Sequence, residues 1–135
     1  MKSDFKELVR LMEFMRSEKG CPWDREQNLK DFLVHLKNES DEVLDAIRRE
    51  DYDNLEEELG DLLWNIVFIS QMAKEQGKFD INDVIKDIRR KIVRRHPHVF
   101  GKAKAKTSEE VVKQYKKVKE KEKKRKLSAF NSPKC

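Results

Sequence analysis

The chain has 135 residues, about the size of one domain, and its 37% of hydrophobic residues, including seven Phe and two Trp, exclude a wholly disordered chain. The sequence has neither the roughly 18 uncharged apolar residues that a membrane span needs nor the apolar run of a secretory signal. We therefore expect a cytoplasmic protein with no membrane partner, and in that compartment Cys21 and Cys135 are expected to be reduced thiols. Charged residues reach 42%, and the net charge of +5 would indicate a polyanionic partner only if it were evenly spread.

Apolar periodicity predicts two helices at the start of the chain. The first is capped by Ser3 or Asp4. Asp24 and Gln27 have the spacing of a capping box, in which two side chains three residues apart bond to each other's backbone N–H groups, and they predict a second helix over residues 25–49.

Two more helices follow in the same way. Asn54 and Glu57 again have capping-box spacing and predict a third helix over residues 54–76, and Asp80 starts a fourth over residues 81–95. No strand alternation is found anywhere. The predicted fold class is therefore all-α, with four main helices in a four-helix-bundle-like arrangement.

The C-terminal segment carries the basic charge of the protein. Residues 102–126 contain 12 Lys/Arg and 4 Asp/Glu, a net of +8, whereas residues 1–101 carry a net of −4. Thr107 and Glu110 form a capping box that starts a charged helix. We therefore predict an acidic domain over 1–101 and a basic helix and tail over 102–135.

The third predicted helix is apolar nearly all the way round over residues 62–69. A helix of this kind is covered on all sides in a folded protein. Four short helices in one chain would hardly cover it alone. We therefore predict a homo-oligomer, a dimer or a tetramer, built around this helix.

Two pairs of acidic residues lie on the second and third predicted helices. At about 100° per residue, Glu39 falls inside the apolar stripe of the second helix and Glu42 on its edge. Glu58 falls inside the stripe of the third helix, with Asp61 on one flank. Helices joined by a short loop pack antiparallel, so the two pairs are expected to face each other.

Carboxylates on a core-facing stripe are costly unless a cation neutralises them. Four hard oxygen donors suit Mg²⁺, with Mn²⁺ as a substitute. A di-iron site would normally use Glu-x-x-His motifs, and neither pair contains a histidine. Solvated charges at the helix edges are the simpler interpretation, but two pairs on adjacent helices favour a magnesium site.

Four blocks of the sequence combine into one pattern: CPWD at 21–24 with Gln27, ESDE at 39–42, LEEELGDLL at 55–63 and RRHPHVFG at 94–101. Together they resemble the MazG-type all-α nucleoside triphosphate pyrophosphohydrolases over residues 5–101. By this resemblance the catalytic and metal-binding residues are Glu39, Glu42, Glu58 and Asp61. The chain departs from the family in having Asn38 where a glutamate is usual, and it holds one copy of a domain that many bacterial members carry twice.

The resemblance implies Mg²⁺-dependent hydrolysis of an NTP or dNTP to the monophosphate and pyrophosphate, by attack of water on the α-phosphorus. Glu39 or Glu42 is the expected proton acceptor. Cations must offset the repulsion between a triphosphate and four carboxylates, and Lys91, Arg94 and Arg95 are the candidates. Their alternative role is a basic last turn that complements the helix dipole.

Two further residues, Trp23 and Asn65, have more than one interpretation, and a third, His35, is not expected in the site. Trp23 either stacks on the base or plugs the end of the bundle. Asn65 either orients a ligand, contacts the nucleotide, or is a buried amide bonded to backbone. His35 is expected at the surface.

Two other classes of protein compete with the enzyme. A nucleic-acid-binding module would use residues 102–126, but this segment has Tyr115 as its only aromatic residue and mixes Lys with Glu, so a nucleic-acid partner is not expected. A purely structural scaffold would have no reason to bear the desolvation of inward carboxylates.

Overall fold

The computed structural model describes the backbone of residues 3–131 and the side chains of residues 3–127. Cys135 lies outside this range. The described residues are helical and contain no strand, which confirms the all-α class, and none of their helices is long and apolar enough to cross a membrane. The helices are α1 (Asp4–Met15), α2 (Pro22–Glu26), α3 (Phe32–Arg48), α4 (Tyr52–Glu75), α5 (Ile81–Arg95), α6 (Pro97–Phe100) and α7 (Ser108–Asn131).

The second long helix begins later than predicted. Asp24 lies within the short helix α2, and Gln27 is extended, so the pair does not form a capping box. The capping box is made instead by Asn28 and Asp31, whose side chains accept N–H bonds of 3.2 and 2.8 Å from each other's backbone. A 3₁₀ turn follows, and α3 starts at Phe32. The predicted start at residue 25 was therefore wrong.

The start of α4 is also shifted from its prediction. Asp51, not Asn54, is the N-cap, and its carboxylate accepts the backbone N–H of Asn54 at 3.2 Å. At α5 the predicted start is confirmed, because Asp80 and Asp83 exchange two side-chain-to-backbone bonds of 3.0 Å.

The start of α7 is confirmed as well. The Thr107 hydroxyl accepts the backbone N–H of Glu110 at 3.2 Å. The Glu110 carboxylate accepts the N–H of Lys106 at 2.8 Å, one residue before the one that a strict capping box would use.

The turn between α3 and α4 places Glu50 in the left-handed region, at φ 52°. The N–H of Asp51 then donates to the carbonyl of Ala46 at 3.1 Å, which closes α3 with the bond that usually accompanies a glycine at this position. Gly77 has φ 70° and ends α4 in the same way. The Cβ of Glu50 is strained there, because left-handed backbone is unfavourable for residues other than glycine.

Replacing Glu50 by Gly is therefore expected to raise the free energy of unfolding by about 0.5–1 kcal/mol, the strain relieved less the extra backbone entropy of glycine. Urea denaturation measures the change. The matched control is Arg49→Gly, at a right-handed position with φ −86°, which should lower stability instead. Loss of stability in both variants would contradict the assignment of strain to Glu50.

The core of the N-terminal part of the chain forms around α4. Helices α1 and α3 both pack against α4, and the turn between α3 and α4 is only three residues long. The buried apolar side chains are Met12 of α1, Phe32 of α3 and Val67, Phe68 and Met72 of α4. This packing fixes which side of α3 faces which side of α4.

Arg16, just after α1, joins three segments around this core. Its guanidinium forms two hydrogen bonds of 2.9 and 2.7 Å to the carboxylate of Glu75 and lowers the pKa of that carboxyl. It also donates to the backbone carbonyls of Asp24 and Gln27. Its charge lies 5.3 Å from the centre of the Phe68 ring. Arg16 therefore holds α2 and the loop after it against the rest of the fold.

The apolar surface of α4 is not fully covered by the single chain. Val67 and Phe68 are buried, whereas Leu63 and Ile66 stay more than a third exposed. On α3, Leu33 is 74% exposed and lines an open apolar groove of about 420 Å³ together with Leu29, Phe32, Leu36 and Ile69. The predicted oligomer is untested and stays a prediction.

The chain divides into two compact units, one up to Val84 and one from Ile85 onward, and each is described by itself. The first contains α1 to α4. In the second, α5 and α7 are joined by ion pairs of Arg94 and Arg95 with Glu122. The domain boundary predicted at residue 101 stays a prediction.

Candidate functional site

Three of the four predicted carboxylates meet between α3 and α4. Glu39 comes from α3, and Glu58 and Asp61 come from one turn of α4. Each offers a carboxylate oxygen that lies within 4.8 Å of the other two. Glu39 and Glu58 are half-buried and Asp61 is exposed. Packing of α3 on α4 thus brings together residues that are about 20 positions apart in the chain.

Two oxygen atoms in this cluster have no hydrogen-bond donor. Oε2 of Glu39 and Oε2 of Glu58 are both buried from solvent, and neither has a partner among the described residues. A buried carboxylate oxygen without a donor is costly, and native proteins usually satisfy such atoms with water or an ion. Two unsatisfied anionic oxygens on facing helices fit a divalent cation with oxygen ligands.

The pKa values of the cluster show how closely the charges are crowded. Hydrogen bonding with Glu42 is the largest cause that raises the pKa of Glu58 to about 7, followed by burial and by the charges of Glu42 and Glu39. Burial first, and then the charges of Glu42 and Asp61, raise the pKa of Glu39. Glu42, although exposed, is therefore close enough to raise the pKa of both Glu58 and Glu39, while the oxygens that meet within 4.8 Å belong to Glu39, Glu58 and Asp61.

No basic side chain neutralises the cluster within the described residues. Their ion pairs do not include Glu39, Glu42, Glu58 or Asp61. The other two acidic residues on this part of α3 are paired: Asp41 with Lys37 at 2.8 Å and Asp45 with Arg49 at 3.1 Å. Among residues 3–127, therefore, no ion pair compensates the negative charge of the four, as expected for a cation-binding site.

An aromatic group lies one helical turn before Glu39. The ring of His35 packs edge-on against Trp23 and Phe32, with centroid distances of 5.9 and 5.4 Å. Trp23 is 55% exposed. His35, expected at the surface, is half-buried. Its spacing of four residues from Glu39 is the sequence signal that could have placed it near the site.

Asn65 lies on α4, one turn beyond Asp61, and is 7% exposed. Its side-chain Nδ2 donates to the backbone carbonyl of His35 at 3.4 Å. Of the interpretations open for this residue, the structure shows a buried amide bonded to backbone. The bond ties α4 to α3 close to the carboxylates.

The three predicted phosphate contacts belong to the unit from Ile85 onward. Lys91 is half-buried on α5. Arg94 and Arg95 both bond to Glu122 of α7, and Arg95 also donates to the hydroxyl of Tyr115 at 2.8 Å. Nothing in the local sequence indicates that Glu122 pairs with these two arginines, because it follows Arg95 by 27 residues.

Comparison with known proteins gives three findings. The family model described as the MazG nucleotide pyrophosphohydrolase domain matches residues 27–100. The chain is similar to the nucleoside triphosphate pyrophosphohydrolase of Escherichia coli K12, with 47% identity over 85% of this chain and 44% of the relative. It is also similar to the nucleoside triphosphate pyrophosphohydrolase/pyrophosphatase MazG of Thermotoga maritima, with 47% identity over 72% of this chain and 38% of the relative.

Among solved structures, the crystal structure of a mazG-related protein from Thermotoga maritima matches with a TM-score of 0.71 and 30% sequence identity. The match covers 85% of this chain and 98% of that one. The chain spans less than half the length of the curated relatives named above.

Proposed function

The chain belongs to the MazG nucleotide pyrophosphohydrolase family, and on that premise we propose that it is an enzyme that hydrolyses nucleoside triphosphates, NTP or dNTP, to the monophosphate and pyrophosphate. The observation that carries the proposal is the cluster of Glu39, Glu58 and Asp61, faced by Glu42. The relatives with this activity by name support it. No feature of the described residues favours the nucleic-acid-binding alternative over it.

The four carboxylates are proposed to hold Mg²⁺, with Mn²⁺ as a substitute. The two buried oxygens without donors, on Glu39 and Glu58, are the atoms that most need a cation. When bound, such an ion supplies charge neutralisation at the phosphate oxygens and lowers the pKa of a water molecule. Because each carboxylate comes from a packed helix, the ligand set is largely formed before any ion arrives.

Of Glu39 and Glu42, the two candidates from the sequence, Glu42 is the proposed proton acceptor. It lies outside the trio of oxygens within 4.8 Å of one another, and it is exposed to solvent. It interacts with Glu58, and this interaction is the largest cause that raises the pKa of Glu58 to about 7. Because Glu42 is exposed, a proton that it accepts from the attacking water can be passed on to solvent.

Lys91, Arg94 and Arg95 are proposed to contact the phosphates, since a cluster of four carboxylates repels a triphosphate unless cations offset it. The exposed ring of Trp23 is proposed to stack on the base. Asn65 is proposed to act near the nucleotide by fixing α4 against α3 through the carbonyl of His35.

Incubation of the purified protein with each NTP and dNTP in the presence of Mg²⁺ tests the proposed function. Equal amounts of monophosphate and pyrophosphate are expected, and chelation of the metal should stop the reaction. Formation of diphosphate and orthophosphate, or no turnover of any of the eight nucleotides, would contradict the proposal.

The proposed oligomer uses the exposed apolar surface of α3 and α4. Leu33→Asp is expected to convert a dimer or tetramer into monomers, because it puts a charge into the apolar groove next to Leu36 and Ile69. Sedimentation velocity measures the state. The matched control is Val34→Asp, the adjacent exposed residue, which does not line the groove and should leave the assembly intact. A monomeric wild-type protein at micromolar concentration would contradict the proposal.

A further inference from the structure

One carboxylate lies between two guanidinium groups where α7 meets α5. Glu122 accepts a 2.7 Å bond from Nε of Arg94 through one oxygen. Arg95 donates to both oxygens of Glu122, from Nε to Oε1 at 3.3 Å and from Nη2 to Oε2 at 2.8 Å. The side chains of Glu122 and Arg95 are only 13% and 15% exposed, so this is a shielded network and not a surface ion pair.

The network fixes Arg95 along nearly its whole guanidinium. Beyond the two bonds to Glu122, its Nη1 donates to the hydroxyl of Tyr115 at 2.8 Å, and its charge lies 5.1 Å from the centre of that ring. An arginine held in this way has already lost most of its rotamer freedom. Binding of an anion by Arg95 therefore costs little further ordering.

Arg94 is held differently, because Glu122 takes only its Nε. The two terminal nitrogens, Nη1 and Nη2, have no partner among the described residues, and the side chain is 42% exposed. Arg94 lines a groove of about 520 Å³ along α5, together with Lys86, Arg89 and Arg90. It also lines a second groove of about 450 Å³, with Glu122 and Lys91 among the other lining residues. The forked end of Arg94, the part suited to bidentate contact with phosphate, is thus not engaged by Glu122.

We infer that Glu122 is a positioning residue, which holds Arg94 and Arg95 in place to bind the phosphate oxygens of an anionic ligand of the di- or triphosphate class. The inference rests on the proposed function, in which these two arginines contact phosphate. It assigns to α7 a part in ligand binding through one carboxylate that touches no ligand itself.

The competing role is that Glu122 occupies the place of the phosphate and must be displaced. Its contacts favour positioning, since it leaves the forked end of Arg94 untouched. The two arginines, Arg95 first, lower the pKa of Glu122 to about 2, so the carboxylate is ionised at any pH used for an assay. The two roles predict opposite changes when its charge is removed.

The experiment compares Glu122→Gln with Glu120→Gln in the full chain. Both variants raise the net charge by one, but Glu120 is exposed and forms no ion pair among the described residues. The probe is inorganic tripolyphosphate, titrated by calorimetry without metal at about 0.15 M salt, where scattered surface charges are screened. We expect Glu122→Gln to bind it about 10-fold more weakly and Glu120→Gln to bind it as the wild type does.

Steady-state kinetics with a hydrolysed triphosphate give the second readout. Glu122→Gln should raise KM by a similar factor and leave kcat nearly unchanged, which a general loss of structure would not do. Glu122→Asp keeps the charge but is shorter by one methylene, and its KM should fall between that of the wild type and that of Glu122→Gln. If Glu122→Gln does not fold, Glu122→Asp carries the comparison with Glu120→Gln.

Tighter binding by Glu122→Gln would overturn the inference, because Glu122 would then be a competitor of the anion. Unchanged binding would overturn it as well. Tripolyphosphate binding needs no hydrolysis, so a wild-type protein that turns over no nucleotide would refute the proposed function alone. A wild-type protein that turns over nucleotides, with a Glu122→Gln variant that behaves identically, would refute the positioning role alone.

Discussion

Replacing Glu58 by Gln, or Asp61 by Asn, is expected to lower kcat/KM for triphosphate hydrolysis at least about 100-fold, the loss typical for residues that only support a metal ligand. Both changes keep the size and shape of the side chain and remove the anionic oxygens that meet Glu39 within 4.8 Å. Initial rates of pyrophosphate release measure the effect.

The matched control is Asp45→Asn on α3, which removes a carboxylate that is exposed and paired with Arg49. This variant should retain nearly full activity. Retained activity in both Glu58→Gln and Asp61→Asn would refute the assignment of the metal ligands.

Glu58→Gln should also stabilise the metal-free protein at slightly alkaline pH. The pKa of Glu58 is raised to about 7 in the folded state, above its ordinary value, so the folded protein holds this proton more tightly than the unfolded chain does. Stability from this group is therefore present at low pH and is lost as the pH rises through about 7. Urea denaturation with a chelator present should show Glu58→Gln to be more stable than the wild type at alkaline pH and similar to it under acidic conditions.

Arg16→Ala is expected to lower the free energy of unfolding by about 2–3 kcal/mol, because the Arg16 side chain is only 9% exposed and its hydrogen bonds are shielded from water. The change removes both bonds to Glu75 and the side-chain donor that the carbonyls of Asp24 and Gln27 share, and the carbonyl of Asp24 keeps only a 3.4 Å bond from the N–H of Gln27. It also removes a guanidinium that packs on Phe68 in the core. Denaturant unfolding of the purified variant measures the loss.

Lys74→Ala is the control for Arg16→Ala. Lys74 also pairs with a glutamate of another element, Glu13 at 3.1 Å, but both side chains are about half exposed. An exposed pair of this kind contributes little, about 0.5 kcal/mol. Equal losses in the two variants would show that Arg16 acts only as a surface charge and does not join the segments around the core.

The carboxylate cluster could be predicted from the sequence because it depends on helix periodicity and on the short turn between two helices. Glu39 and Glu58 interrupt apolar stripes, and a three-residue turn between two helices leaves one simple way to pack them. Glu42 and Asp61 follow from the spacing of three residues within a helix. The fold class follows from the same periodicity and from the lack of strand alternation.

Features that depend on competition between local signals were predicted less well. Asp24 and Asn28 both begin a plausible capping box, and only the bonds of the finished loop show that Asn28 makes it. The left-handed conformation of Glu50 has no sequence signal, because the position would favour glycine. The contact of Glu122 with Arg95 joins residues 27 positions apart, and many other charged pairs in so charged a chain would have looked equally good.

A crystal soaked with Mn²⁺ tests the central claim, that the carboxylates on α3 and α4 form a metal centre, most directly. An anomalous difference peak is expected between Glu39, Glu58 and Asp61, at about 2.0–2.2 Å from their carboxylate oxygens as for a hard divalent ion. The peak should be lost in Glu58→Gln crystals. A well-ordered cluster with no peak, or Mn²⁺ bound elsewhere in the chain while this cluster stays empty, would contradict it.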